Sequence, residues 1–257
     1  MHIKRWILFF IILLIPLFVL AESTEEKVKV AEGVKYYRTD TILSNSAVMR
    51  AANLGEVSSL TTEITEEEYN NVDTTSSNSI EPRGLISYET ETTYKKLTTT
   101  MYQRGTYYFV YQATLDWKKI PSTRSYDIIA IGFLATVEVD GIVNLTQTYC
   151  RSATDCNNSN GYWQDSYLNG AAAVFHLPSG TLTSLRQVID FDVVKYDSSD
   201  TITYQVAAGD YSHATSSISY DNAKKFYVDC GGIRLNSSVE SYYDEIDTAD
   251  AIWRGTW

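Results

Sequence analysis

Three cysteines, three histidines and an abundance of carboxylates make up the reactive inventory of this 257-residue chain. Cys150 and Cys156 flank the short segment Arg151-Ser152-Ala153-Thr154-Asp155. In an oxidising compartment that spacing predicts a small disulfide-clipped loop. In the chain-entropy model such a clip stabilises by about 2–3 kcal/mol. Cys230, in Val228-Asp229-Cys230-Gly231-Gly232, is then a buried free thiol or an intermolecular partner. The rival arrangement pairs Cys230 with one of the other two. Three cysteines and so few histidines predict no metal site.

Asp210-Tyr211-Ser212-His213 puts an acid, a hydroxyl and an imidazole within four residues. A triad needs spatial placement rather than adjacency, and no Gly-x-Ser-x-Gly elbow accompanies it. The plain reading of His213 is a loop histidine; the sharper one makes His213 and Asp210 catalytic. His176, next to Phe175, reads as an ordinary strand-face residue. Asp190, Asp192 and Arg186 share one face under period two, and a solvated surface explains them. Counting carboxylates leaves paired-acid glycoside chemistry open. Loop acids such as Asp197 and Asp200 raise a calcium reading, but no EF-hand loop supports it. A zinc-protease His-Glu-x-x-His and the phosphate-cradling glycine patterns are also missing, so no cofactor is expected. Tyr162-Trp163 follows a polar Asn-Asn-Ser-Asn-Gly stretch. That pair is a candidate platform for a sugar ring, with loop anchoring as the plainer role.

The elements that would position these groups are strands. Tyr107, Phe109, Tyr111, Ala113, Leu115 and Trp117 occupy successive odd positions, which predicts a long strand with one buried face. Residues from Tyr126 to Leu134 are apolar on both faces and predict a central strand covered on both sides. Around Asp140-Gly141 a three-residue hairpin loop, Val139 to Gly141, would pair Val137 with Val143 and keep the apolar sets on one face. This predicts a left-handed Gly141 and a G1 bulge. Ala171–Leu177 and Leu185–Lys195 follow as strands. Ile202, Tyr204, Val206 and Ala208 line another, and Ser217–Tyr220, Phe226–Cys230 and Ile233–Leu235 are shorter. Ser238–Ala251 carries the one helical hint near the end. The expected fold is all-β, a two-layer antiparallel β-sandwich, with its strands between about Tyr88 and Leu235.

Residues 84–257 form the predicted sandwich domain. Residues 22–83 are acidic and rich in Ser and Thr, and they read as a poorly ordered arm and linker, with a weak short helix over Ser44–Leu60. Residues 1–21 have the form of a signal peptide: Lys4 and Arg5, an apolar run from Trp6 to Leu20, and Val19-Leu20-Ala21 as a cleavage site. The run is short for a membrane span, and no second long apolar segment follows. Removing Lys4 and Arg5 with the leader leaves 19 Lys+Arg against 32 Asp+Glu, a net charge of −13. Such a chain repels nucleic acid and anionic membranes.

Thr62 to Asn71, Arg124 to Phe133, Asn169 to Phe175 and Gly209 to Thr215 together resemble uncharacterised secreted proteins of Gram-positive bacteria. The resemblance implies a bacterial, extracellular setting and carries no named activity or functional residue. Under it the Asn-x-Ser/Thr sites at Asn144, Asn157 and Asn236 are chance matches; in a eukaryotic host they would be glycan candidates.

The expected function is a secreted, non-catalytic module that meets a surface, a protein or a glycan. The alternative is a secreted carboxylate-based hydrolase. N-terminal sequencing of exported material is expected to begin at Glu22; a start upstream of Leu20 would refute cleavage after Ala21.

Overall fold

Long runs of Val, Ile, Thr and Tyr with period-two polarity pack as sheets, because β-branched and aromatic side chains fit a pleated surface. The computed structural model describes residues 26–43, 59–73, 79–83, 86–159 and 163–257. The expected leader and most of the expected helix over Ser44–Leu60 lie outside the described residues. Two antiparallel sheets pack face to face. The larger has the order β2 (Ser59–Ile64), β1 (Lys27–Leu43), β4 (Ile86–Arg104), β5 (Tyr108–Lys119), β11 (Ser184–Lys195), β7 (Val137–Cys150) and β8 (Cys156–Ser159), with β3 (Ser79–Arg83) on β4. The smaller has the order β15 (Asp247–Arg254), β12 (Tyr204–Ser212), β6 (Tyr126–Phe133), β10 (Gly170–His176) and β9 (Trp163–Tyr167). The all-β sandwich is thus the fold.

The inward faces follow the alternation. Phe109, Tyr111, Ala113, Leu115 and Trp117 of β5 and Leu185, Ile189, Phe191 and Val193 of β11 meet Ile129, Ile131 and Phe133 of β6 in one core. The other face of β6, Ile128 and Ala130, packs beneath a second cluster. That cluster is supplied by the hairpin β13 (Phe226–Asp229) and β14 (Gly232–Leu235) and by helix α2 (Tyr220–Ala223). The double coverage expected for Tyr126–Leu134 comes from this partial third layer.

The N-terminal segment differs from the expected arm. β1 is a 17-residue strand hydrogen-bonded to β4 from Lys27↔Arg104 to Leu43↔Glu89. Thr65 caps helix α1 (Glu66–Asn70) through a capping box with Glu68, which the Thr-Glu-Glu-Glu spelling already allows. Acidic, Thr-rich composition suggested a solvated tail, but the segment pairs with β4 along its length and buries Tyr37, Thr39 and Thr41.

Three other segments depart from expectation. Asp140-Gly141 makes no hairpin. β7 runs through it, and Asp140↔Asp192 and Asn144↔Asp190 leave Gly141, Ile142 and Val143 opposite Phe191 alone. Gly141 is left-handed, with φ 78°, in a strand bulge. Two extra residues preserve the odd inward parity as well as a hairpin would. Within β12 the face turned to the main core is Gln205, Ala207, Gly209 and Tyr211; of the expected set Ile202 and Ala208 are buried, Val206 is half-buried and Tyr204 is exposed. Gln205 is tolerated inside because it accepts from Tyr111 Oη at 3.1 Å and donates to Thr136 Oγ1 at 2.8 Å. The expected C-terminal helix is a 3-10 turn at Glu240–Tyr242 followed by β15, and the expected strand at Ser217–Tyr220 gives way to α2, capped by Ser219.

The sheets approach closely at one corner because two glycines remove side chains there. A Cβ on Gly33 would lie 2.0 Å from the carbonyl oxygen of Asp250, and one on Gly209 would lie 1.8 Å from Thr99 Oγ1.

Cys150 and Cys156 are disulfide-bonded across the β7–β8 turn, and Cys230 is free and exposed rather than buried. Cys150→Ser is expected to lower the melting temperature by several degrees. The scale is about 2–3 kcal/mol at roughly 2–4 °C per kcal/mol. Cys230→Ser should shift it less, and differential scanning calorimetry of both variants checks the order.

Candidate functional site

Charged residues at inward strand positions draw attention, because burying an unpaired charge is costly. Lys95 lies on the inward face of β4, in line with Leu97 and Met101, and is fully buried. The β4–β5 register shifts between Tyr94 and Lys95, so Lys95 stands opposite Trp117. Its Nζ is 2.6 Å from Asp244 Oδ2 and 2.6 Å from Asp247 Oδ2, and all three side chains are 0% exposed. The rings of Trp117 and Tyr211 flank the ammonium at 5.5 and 5.2 Å, a cation–π arrangement. Burial alone would push Lys95 down, but Asp244 and Asp247 outweigh it and hold the ammonium above the usual lysine range. Burial raises Asp247, and its neighbour Asp244 adds to that rise against the pull of Lys95.

A third buried carboxylate adjoins this group. Asp127, on the inward face of β6, accepts from the Tyr211 hydroxyl and from the backbone N–H of Ala214 at 3.0 Å. His213 Nδ1 lies 2.8 Å from Asp127 Oδ1. The imidazole stacks edge-on to Trp117 at 5.4 Å. His213 N–H donates to Asp244 Oδ1 at 2.6 Å, and Asp244 N–H returns a bond to His213 O at 2.9 Å. His213 therefore links the two carboxylate centres through its ring and its backbone.

The expected partner of His213, Asp210, is not part of this group. Neighbouring positions on a strand point to opposite faces: Tyr211 faces the core, whereas Asp210 faces the β13–β14 hairpin. There Asp210 Oδ2 accepts from Ile233 N–H at 2.7 Å. Gly232, with φ 94°, leaves it room, since a Cβ would sit 1.8 Å from that oxygen. Burial pushes the Asp210 carboxyl up to about 7, against the lowering effect of Ile233 N–H and the Thr248 hydroxyl. Ser212 is no poised nucleophile: its hydroxyl donates to the Asp244 carbonyl at 3.1 Å.

The other candidates scatter. Tyr162 lies outside the described residues, and Trp163 opens β9, opposite Val174. His176 packs edge-on against Tyr126 at 4.7 Å. Asp192 pairs with Arg104 at 2.5 Å, and Asp190 accepts from Asn144 at 3.2 Å. Asp197 caps its own turn through Ser199 N–H and Oγ at 2.9 and 2.7 Å. Among the described residues no group of three or more His, Cys, Asp or Glu is placed to hold a metal ion. Lys95, Asp127, Asp244 and Asp247 escaped the sequence reading. For Lys95 and Asp127 a signal existed: each shares parity with core residues, Leu97 and Ile129.

The outward face of the large sheet has the opposite character. Cross-strand rows run Lys96–Asp116–Arg186, Thr98–Thr114–Val188 and Thr100–Gln112–Asp190. Helix α1 lies over one end, held by Lys118, whose ammonium donates to the carbonyls of Tyr69 and Asn70, and by Tyr69 against Tyr36 at 4.9 Å. Beside it a cleft of about 440 Å³ opens between Arg38, Tyr94, Ile64, Glu67, Glu68 and Val72.

Comparison of the chain with protein-family models and with curated proteins returned no match.

The raised Asp210 gives a pH prediction. Its folded value exceeds the unfolded one near 4, so folding takes up a proton. The contribution to stability is therefore full below about pH 4 and is lost as pH rises through about 7. Asp210→Asn keeps an acceptor for Ile233 and cannot ionise. Urea unfolding between pH 5 and 8 should show a wild-type decline up to about 1.4 kcal/mol per pH unit steeper than that of the variant. Parallel curves would refute the assignment.

Proposed function

We propose that this is a secreted, non-catalytic β-sandwich module that binds a glycan or a surface protein through the outward face of its large sheet. The observation that carries this reading is the separation of chemistry between the two faces. The acids and the histidine that could catalyse are sealed between the sheets, with Asp127 0% and His213 4% exposed. The outward face carries cross-strand rows in which Lys96, Gln112, Asp116 and Asp190 are half-buried and Thr100 and Thr114 are buried, with a cleft at one end where Tyr94, Arg38 and two glutamates converge. An aromatic ring beside polar groups with fixed direction suits a sugar or a polar peptide segment. The disulfide and the signal-like leader support an extracellular site of action.

The alternative, a secreted hydrolase, is favoured by one observation, the 2.8 Å contact of His213 with Asp127. A carboxylate orienting an imidazole belongs to general-base chemistry. Here the pair faces Trp117 and Tyr211 instead of an open cleft, and the adjacent serine is engaged with a backbone carbonyl.

Binding of the full mature chain to a glycan array and to isolated cell-surface proteins tests the proposal. A specific ligand should bind and lose about tenfold or more in affinity with Tyr94→Ala or Arg38→Ala, while circular dichroism stays unchanged. Affinity unmoved by both variants, or turnover of a glycan or peptide abolished by His213→Gln, would overturn it.

A further inference from the structure

The cluster around Lys95 is more than an ion pair. An amine lies 2.6 Å from each of two carboxylates, in a space closed by Trp117 and Tyr211. The carboxylates are unequal. Asp244 Oδ1 accepts from His213 N–H at 2.6 Å, with the Ser212 hydroxyl at 3.5 Å. Asp247 Oδ1 is buried with no hydrogen-bond partner. One carboxyl is therefore fixed with donors on the oxygen turned away from the amine, and the other is free to carry a proton. Reacting groups held at contact distance in a dry cavity convert a bimolecular condensation into an intramolecular one, with effective molarities of about 10⁵–10⁸ M in well-oriented cases.

We propose that Lys95 and Asp244 condense into an intramolecular isopeptide bond, with Asp247 as the proton carrier. The bond from Nζ to Asp244 Cγ forms, and the bond from Cγ to Oδ2 breaks. Starting from ammonium and carboxylate, two protons leave Nζ and reach Oδ2, which departs as water. Asp247 relays them and ends as it began, so no oxidant or co-reactant is consumed. In the tetrahedral intermediate the charge on Oδ1 rests against His213 N–H, which acts as an oxyanion donor. Burial raises Asp247, which makes its carboxylate a stronger base for the ammonium proton in this contact. The product ties β4 to the segment entering β15 across 149 residues of chain and joins the two sheets covalently.

Intact mass spectrometry of the purified, disulfide-reduced full chain decides the matter. The folded protein should be lighter than its sequence by one water, and protease digestion should release a branched peptide joining Lys95 to Asp244. Lys95→Arg should restore the full mass. Asp247→Asn should do the same while keeping the β-sheet circular dichroism of the parent. Asp244→Asn should lose ammonia instead and arrive at the mass of the bonded wild-type chain. A folded wild-type chain at its full sequence mass after prolonged incubation overturns the proposal. A branched peptide at Asp247 overturns the assignment of roles.

Discussion

One ammonium buried between two sheets is the constraint on which the rest of this structure depends. Lys95 enters from the large sheet. Asp247 enters from the small sheet and Asp244 from the segment that leads into it. Neither sheet can satisfy the charge alone. Removing one partner from such a group costs about 3–5 kcal/mol, because the charge left behind has no water. The same requirement sets register. Sliding β4 by one residue would put Lys95 outside and bring Tyr94 or Lys96 inside, away from both carboxylates. The cluster thus selects one alignment of β4 against β5 and one docking of β15 across them.

Around this point the interior polar groups form a connected set instead of isolated exceptions. Asp244 takes the backbone of His213, His213 reaches Asp127, and Asp127 takes the hydroxyl of Tyr211. Tyr211 and Trp117, packed edge-to-face on each other at 6.0 Å, both lie against the Lys95 ammonium. Each member is oriented by the next, which is how buried polar networks contribute specificity once their hydrogen bonds are made. The consequence for function is a division of labour. The reactive side chains lie in the interior, and the proposed recognition rests on the outward face of the large sheet and the cleft beside α1.

The chain reaches this arrangement by crossing between sheets repeatedly. β6 belongs to the small sheet and β7 to the large one, with only Leu134, Ala135 and Thr136 between them. Once that turn makes the crossing, Asp140-Gly141 has no reversal to perform. The two residues it adds beside Phe191 become a bulge, and Ile142 is pushed into solvent. The glycine conformation is the one a hairpin would need, but the partner strand is β11.

Much of the architecture was legible in residue order. Alternation marked β5 and its inward face, β10 and β11 were placed as strands, and apolar residues on both faces of Tyr126–Leu134 announced a covered central strand. The spacing of Cys150 and Cys156 announced the clip. These features are local: period two and short loop closure depend on neighbours in sequence. Composition misled where a strand with a buried Tyr–Thr–Thr face lay among acidic and Thr residues, as in β1, and where a buried Gln205 reversed the apparent core face of β12. The site was mostly illegible. His213 and Asp210 are three apart in the chain, yet strand alternation sends them to different layers. The true partners of His213, Asp127 and Asp244, lie 86 and 31 residues away. The sequence by itself determined the central strands, the inward face of β5 and the disulfide loop. Only the tertiary structure decided which charges share the dry space between the sheets, because that pairing depends on the docking of strands distant in the chain.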